Sequence, residues 1–490
     1  MSSRRARHAS VLSTAIPASS STTEGFSSDL LAQLSSVAIP SPNDTSDTLP
    51  SLDWPEALLA VAEQCSAEYG AKLAYELSEQ YFEAGCPTPS SFVLLAGGLF
   101  PSVELLQLWH DEYCTGNLPP RTVLRMALVA GYLRAQDQPA VLAEALRLLR
   151  RISFRAARAS GQAWAQGYLD ATRADWNVDD SSYGLLTLSH SGFRQDGRRV
   201  FTLGARSYVL TIKGPGELSV VDDHARPMKH VALPSNVGAA GKHGVVERAR
   251  FDEARTAALE GSRRIASDLE EEMRSGVARP WALWKRIFTN NPIISSTVRP
   301  LVWVARRPEQ PDCYFRLDEE RQYISHHNEV MGPFPGAMIQ LAHSSLMTEE
   351  ERFAWRHHLA EYLLVPPFEQ IEHESMSPRD PRYSQEFGAI DWNDTHSFCS
   401  SYGWKLMLPA ASGAGSISKT VWGGKIRVYF DIVREKPNDY YSAHKITGFR
   451  FAVETPLANA AIVPSTETIL RCEALTELYE GLSSEPEARP

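Results

Sequence analysis

Arg299-Pro300-Leu301-Val302-Trp303 opens the stretch, residues 299–406, whose reading decides the fold. An apolar run carrying a tryptophan straight after a proline reads as a buried strand. The step Leu341-Ala342-His343 follows, and then Thr348 with Glu351 three residues on, a capping box that opens a helix bearing Trp355, Leu359, Tyr362 and Leu363. The helix gives way to the turn Pro366-Pro367-Phe368-Glu369-Gln370, and the stretch closes near Gly403-Trp404-Lys405. Strand and helix patterns therefore share one segment, which predicts an α+β domain.

Working outward, Ile426, Val428, Phe430 and Ile432 alternate with Arg427, Tyr429 and Asp431, the period of a half-buried strand, and Phe449, Phe451 and Val453 repeat the pattern. Upstream, Ala254, Ala258, Ile265, Leu269 and Met273 recur at helical steps within a long helix over 246–273, with Gly276 just beyond its end. Tyr208–Ile212 and Leu218–Val221, parted by Gly214-Pro215-Gly216, predict a small antiparallel sheet. Asp196-Gly197 predicts a hairpin turn between Leu185–Leu188 and Val200–Leu203. Earlier still, Leu73, Leu77 and Tyr81 form a helical stripe that stops at Gly85 and Pro87, and helices are expected over 103–109, 123–133 and from Pro139 to about Arg158. The expected organisation is a tail over 1–50, rich in Ser, Thr and Pro, a helical region over 51–180, a small sheet plus long helix over 181–290, an α+β domain over 291–475 and a tail over 476–490.

Composition narrows the function. With 490 residues, 43% of them hydrophobic, the chain can bury a large core across two or three domains. Fifty-nine acidic against 49 basic side chains, a formal charge of -10, oppose a surface devoted to nucleic acid. Six cysteines without a CxxC pair suggest neither a zinc knuckle nor a disulfide framework, and fit a reducing cytoplasm. No apolar run reaches membrane-spanning length, so no membrane role is expected. The first 23 residues, with Arg4, Arg5 and Arg7, share their composition with transit peptides, although low hydrophobicity alone produces such a tail.

Few motifs carry chemistry. Glu369, Gln370, Glu372, His373 and Glu374 gather carboxylates and an imidazole within six residues, which makes Gln370, His373 and Glu374, with Lys405, the candidates for an acid-base cleft. A solvated polar loop is the commoner outcome of such a sequence. His357, His358 and His373 lack the i, i+4 pair of a zinc-binding helix, so neither a metal nor a cofactor is expected. Gly413–Thr420 imitates a phosphate loop, but has Ser418 in place of the second glycine and leads into a strand instead of a helix. His396 and Cys399 are only three residues apart, a spacing that says little about a catalytic pair. Arg147, Arg151, Arg155 and Arg158 fall on one helix face and form the best interaction patch, fit for an acidic protein partner or, locally, a nucleic-acid backbone.

Over about residues 183–453 the chain resembles domain of unknown function 4132, a mostly bacterial family whose members are sometimes joined to a WGR module and are called, by analogy, molybdate metabolism regulators. The resemblance rests on the order of several motifs: Pro227-Met228-Lys229 to Leu233-Pro234, Asn291-Pro292, Leu301-Val302-Trp303, His343 with Leu346 and Trp355, Pro367-Phe368-Glu369-Gln370, and Gly403-Trp404-Lys405. Two positions depart from the family pattern: Ser344 stands where a proline is usual, and His373 where an arginine is usual. An arginine that held an anion there would not be replaced by histidine without loss, since the imidazole is neither permanently charged nor bidentate. The family carries no known function, and the lack of any convincing catalytic constellation favours a cytoplasmic binding or regulatory module with a protein partner. The alternative is an enzyme of unrecognised type with a polar cleft around Gln370, His373, Glu374 and Lys405.

Overall fold

The computed structural model describes residues 63, 66–86, 93–115, 138–148, 178–228 and 237–483, apart from 139–140, 146, 187, 204–205, 223, 225, 382–388, 409–412, 437–438, 440, 456 and 458–459. The chain is an α+β protein with three antiparallel sheets among the described residues.

The first helices, α1 (Ala67–Glu83), α2 (Leu95–Leu99) and α3 (Val103–Thr115), form because Leu73, Leu77 and Tyr81 face Leu105 and Trp109 in one core. The Trp109 indole donates to the Ser78 hydroxyl at 3.0 Å, which satisfies a buried polar group in that core. The helix expected over 123–133 lies outside the described residues.

The hairpin expected over 185–203 is half helix. Leu185 and Leu186 belong to a helix, α4 (Asp180–Leu186), because the Asp179 carboxylate accepts from the Ser182 amide at 3.0 Å and starts a helical turn there. Asp196-Gly197, with Gly197 at φ 73°, is a turn that feeds a strand without being preceded by one. That strand, β1 (Arg198–Leu203), pairs with β2 (Arg206–Gly214), which pairs with β3 (Glu217–Asp222) across the expected Pro215-Gly216 turn.

The long helix α5 (Val237–Ser275) buries its whole predicted stripe, from Ala254 to Met273. It ends because Gly276 adopts φ 63°, a left-handed conformation that glycine enters at least cost. A Cβ at Gly276 would meet the Ile469 side chain at 3.0 Å and the Thr466 backbone at 3.1 Å, so the glycine also admits a later helix at close range.

A six-stranded sheet follows, built from β4 (Ala278–Pro280), β5 (Trp303–Arg306), β6 (Cys313–Leu317), β7 (Tyr323–Ile324), β8 (Val330–Met331) and β9 (Met338–Leu341), in the order β4-β9-β5-β6-β7-β8. Against it packs α6 (Trp281–Phe288), while α7 (Pro292–Val298) lies against α5, α6 and β2 and is capped by the Asn291 side chain, which accepts from the Ile293 amide at 2.9 Å. Trp281 and Trp284 stack at 5.4 Å, and Trp284 meets Trp303 edge-on at 5.1 Å. These rings bury a large apolar area, and their core runs from Leu73 to Leu341, on both sides of positions 180 and 290.

The capping box is present: the Glu351 amide donates to Thr348 Oγ1 at 3.1 Å, and the Thr348 amide donates to Glu351 at 2.7 Å. It opens α8 (Glu349–Glu361), which buries Trp355 and Leu359. Tyr362 and Leu363 leave the expected stripe, because the helix stops at Glu361 and Leu363 turns out at φ 53°, 88% exposed.

The last sheet has the order β10-β14-β13-β12-β11, from β10 (Ala389–Ile390), β11 (Lys405–Met407), β12 (Ala414–Val421), β13 (Ile426–Arg434) and β14 (His444–Val453). Ile426, Val428, Phe430 and Ile432 face the core as their alternation requires. That core is closed by α9 (Trp392–Tyr402) and α10 (Pro464–Ser483). The phosphate-loop imitation is the strand β12, with no helix to receive an anion. Helix α10 continues past residue 475, where the sequence reading begins a tail, because Leu475 and Leu478 are buried in this core.

Candidate functional site

Three elements converge on α10. His343 follows β9 by two residues and caps a 3-10 turn, Ser344–Leu346; His373 lies in the loop after α8; Glu473 projects from α10; and Arg274 stands at the end of α5. Helix α10 is fixed there by three bonds: Ser465 Oγ donates to Gln340 at 3.0 Å, Thr466 Oγ1 to the Gly276 carbonyl at 2.6 Å, and the Met376 amide to Thr476 Oγ1 at 2.7 Å.

His373 Nε2 lies 2.7 Å from Glu473 Oε1, and His343 Nε2 lies 3.2 Å from the same oxygen. The second contact lacks hydrogen-bond geometry, so the fully buried His343 keeps an Nε2 with no hydrogen-bond partner. Arg274 approaches the other carboxylate oxygen at 3.9 Å. Burial would raise the Glu473 pKa, but the two imidazoles beside it outweigh burial and hold it down at about 2. The His343 imidazole is pushed below its ordinary pKa, chiefly by burial.

A cleft of about 470 Å³ opens beside His373, walled by the 3-10 turn, Arg352, the 372–380 loop and the α10 residues Thr476, Tyr479 and Glu480. A second hollow, of about 260 Å³, lies on the other side of Glu473, against Glu271, Arg274, Trp404 and Lys419. Within it the Trp404 indole and the Lys419 ammonium both donate to Glu477, at 3.0 Å and 2.8 Å.

Of the expected acid-base residues, His373 and Glu374 share the larger cleft. Gln370 is buried away from it: its amide nitrogen donates to the Val302 and Ala342 carbonyls at 2.6 Å and 2.9 Å, and its oxygen accepts from the Val302 amide at 2.8 Å. It knits two chain segments through their backbone and has no donor left for a substrate. Lys405 stands exposed on the edge strand β11 and lines neither cleft. Arg147 turns inward, donating to the buried Glu144 at 2.8 Å and to Gln107 at 2.7 Å; Arg151, Arg155 and Arg158 lie outside the described residues. Burial pushes the Cys399 thiol up to about 11, and His396, on the same helix, is exposed.

Sequence reasoning passed over Glu473. The signal was available, since Glu473, Thr476, Glu477 and Glu480 fall at three- and four-residue steps along one helix face. It also treated the two departures from the family pattern separately, whereas they touch: the Ser344 hydroxyl donates to the His373 carbonyl at 2.6 Å.

This arrangement falls partly within a region that similarity also marks. Residues 230–404 match the family model "Domain of unknown function (DUF4132)". That span lies inside 183–453, where the sequence motifs placed the resemblance, and it contains His343 and His373 but not Glu473. The chain is also similar to a curated protein, "Uncharacterized protein YehI" of Escherichia coli (strain K12), at 26% identity over 133 residues, which is 26% of this chain. The match spans 11% of that relative's length. No solved structure matches. Among the described residues, no helix is long and apolar enough to cross a membrane.

Proposed function

We propose that the protein is a cytoplasmic binding module with a regulatory role, and that its recognition surface is the cleft beside His373, which takes a lysine- or arginine-rich segment of a protein partner. One observation carries this reading: the cleft is lined by Glu372, Glu374, Asp380 and Glu480 against Arg352 and His373. Arg352 is already paired with Glu349 and Glu372 with Arg356, while Glu374 and Glu480 have no ion-pair partner among the described residues. An acid-lined concave surface attracts a cationic partner and steers its approach. The dispersal of Gln370 and Lys405 favours binding over the acid-base cleft expected from sequence.

Fluorescence anisotropy of a labelled oligolysine peptide and an oligoglutamate control tests this. The basic peptide should bind the full chain, weaken with added salt, and lose affinity on Glu374→Gln with Glu480→Gln, both exposed positions that the fold does not need. Equal binding of the acidic peptide, no binding of the basic one, or affinity untouched by the double variant would overturn the reading.

A further inference from the structure

We propose that His343, His373 and Glu473 form a binding site for one divalent transition-metal ion of the zinc class. This is a separate matter from the peptide reading and stands whether or not a basic segment docks. Three donors arrive from three distant segments, the turn after β9, a loop and a helix, and their ligand atoms all lie within 4.8 Å of one another. Zinc bonds of about 2.0–2.2 Å in a tetrahedron set neighbouring ligand atoms roughly 3.3–3.6 Å apart. The 2.7 Å and 3.2 Å approaches to Glu473 would have to open slightly to admit an ion, and the two imidazole nitrogens already lie within 4.8 Å of each other.

A second observation points the same way. His343 is fully buried, and its Nε2 meets only Glu473, at 3.2 Å and without good hydrogen-bond geometry, so an ion between the two would give it a full partner. The other ring nitrogen is 2.7 Å from Ser345 Oγ. Were Nδ1–H the donor to that hydroxyl, the ring would present to the carboxylate the Nε2 lone pair that a metal ligand requires. The Ser345 amide, 3.3 Å from the same Nδ1, favours the opposite tautomer but is the longer contact. Two imidazoles and a carboxylate suit zinc better than magnesium or calcium, which prefer oxygen cages. With three protein ligands and His373 lining a cleft, a fourth position is reachable by water or by an anionic group, the pattern of a reactive site more than of a closed structural one.

The test uses the full chain after chelator treatment. Zinc titrated by calorimetry should bind at one ion per chain and raise the Tm, and cobalt(II) should give visible bands of a four- or five-coordinate site. His373→Gln and Glu473→Gln should each weaken zinc binding by at least about tenfold while keeping the far-ultraviolet circular dichroism of the parent. His343→Gln adds a third arm if it folds; the other two suffice if it does not. No zinc-dependent rise in Tm for the parent, or an affinity unchanged in both variants, would overturn the site.

Discussion

Gln370→Leu separates a structural glutamine from a catalytic one. The side chain is buried and makes three bonds to backbone, accepting from the Val302 amide and donating to the Val302 and Ala342 carbonyls. The Val302 carbonyl keeps a second donor, the Ala342 amide at 3.0 Å. The substitution therefore orphans two buried groups, the Val302 amide and the Ala342 carbonyl. Each orphan costs about 1–3 kcal/mol, so the loss should total about 2–6 kcal/mol. Leucine nearly preserves the volume, so little of that loss comes from a cavity. Urea unfolding followed by tryptophan fluorescence reads it as a drop in midpoint at constant slope. Gln370→Glu should be at least as damaging, since a carboxylate would face two carbonyl oxygens. A Gln370→Leu chain with an unchanged midpoint would refute the structural assignment and return Gln370 to the list of candidate reactive groups.

Other expectations are simpler to test. Thr348→Ala removes the capping box and should cost about 1 kcal/mol, measured by the same unfolding assay. Gly276→Ala should cost about 1–2 kcal/mol from the left-handed backbone alone, and more from its close approach to Thr466; a Tm equal to the parent's would contradict the geometry. Burial pushes Glu144 up in pKa, but Arg147, His190 and Ser189 together outweigh it and hold the carboxyl below its ordinary range. Its stabilising contribution is therefore complete above the unfolded carboxylate pKa of about 4.3 and fades as the pH falls through the lower native value. Glu144→Gln should be less stable than the parent at pH 7, with the gap narrowing below about pH 4; a gap independent of pH would show that the charge is not what matters.

Legibility from sequence followed the range of the forces involved. The Thr348 box, the α5 stripe with Gly276 and the β13 alternation are set within a few residues, and the structure has all three. Leu185–Leu188 misled because a short apolar run fits helix and strand alike, and a cap by Asp179 decided between them. Tyr362 and Leu363 continued a periodicity that the backbone had already abandoned. The His343–His373–Glu473 grouping had no local signature, since partners 100 residues apart meet only through packing of α10. Gln370 looked reactive for the same reason: its backbone partners Val302 and Ala342 are 68 and 28 residues away.

The bond from Thr466 to Gly276 closes a loop of 190 residues, and Glu473 follows His373 by 100. On a ribosome adding about 5–20 residues each second, His373 is made some 5–20 s before the carboxylate that receives it. For that interval the nascent chain carries both imidazoles without their acidic neighbour. Stalled chains that end ahead of Pro464 should accordingly label at His373 with an imidazole-acylating reagent more readily than the finished protein, and equal protection of both would show that the loop folds without waiting for α10.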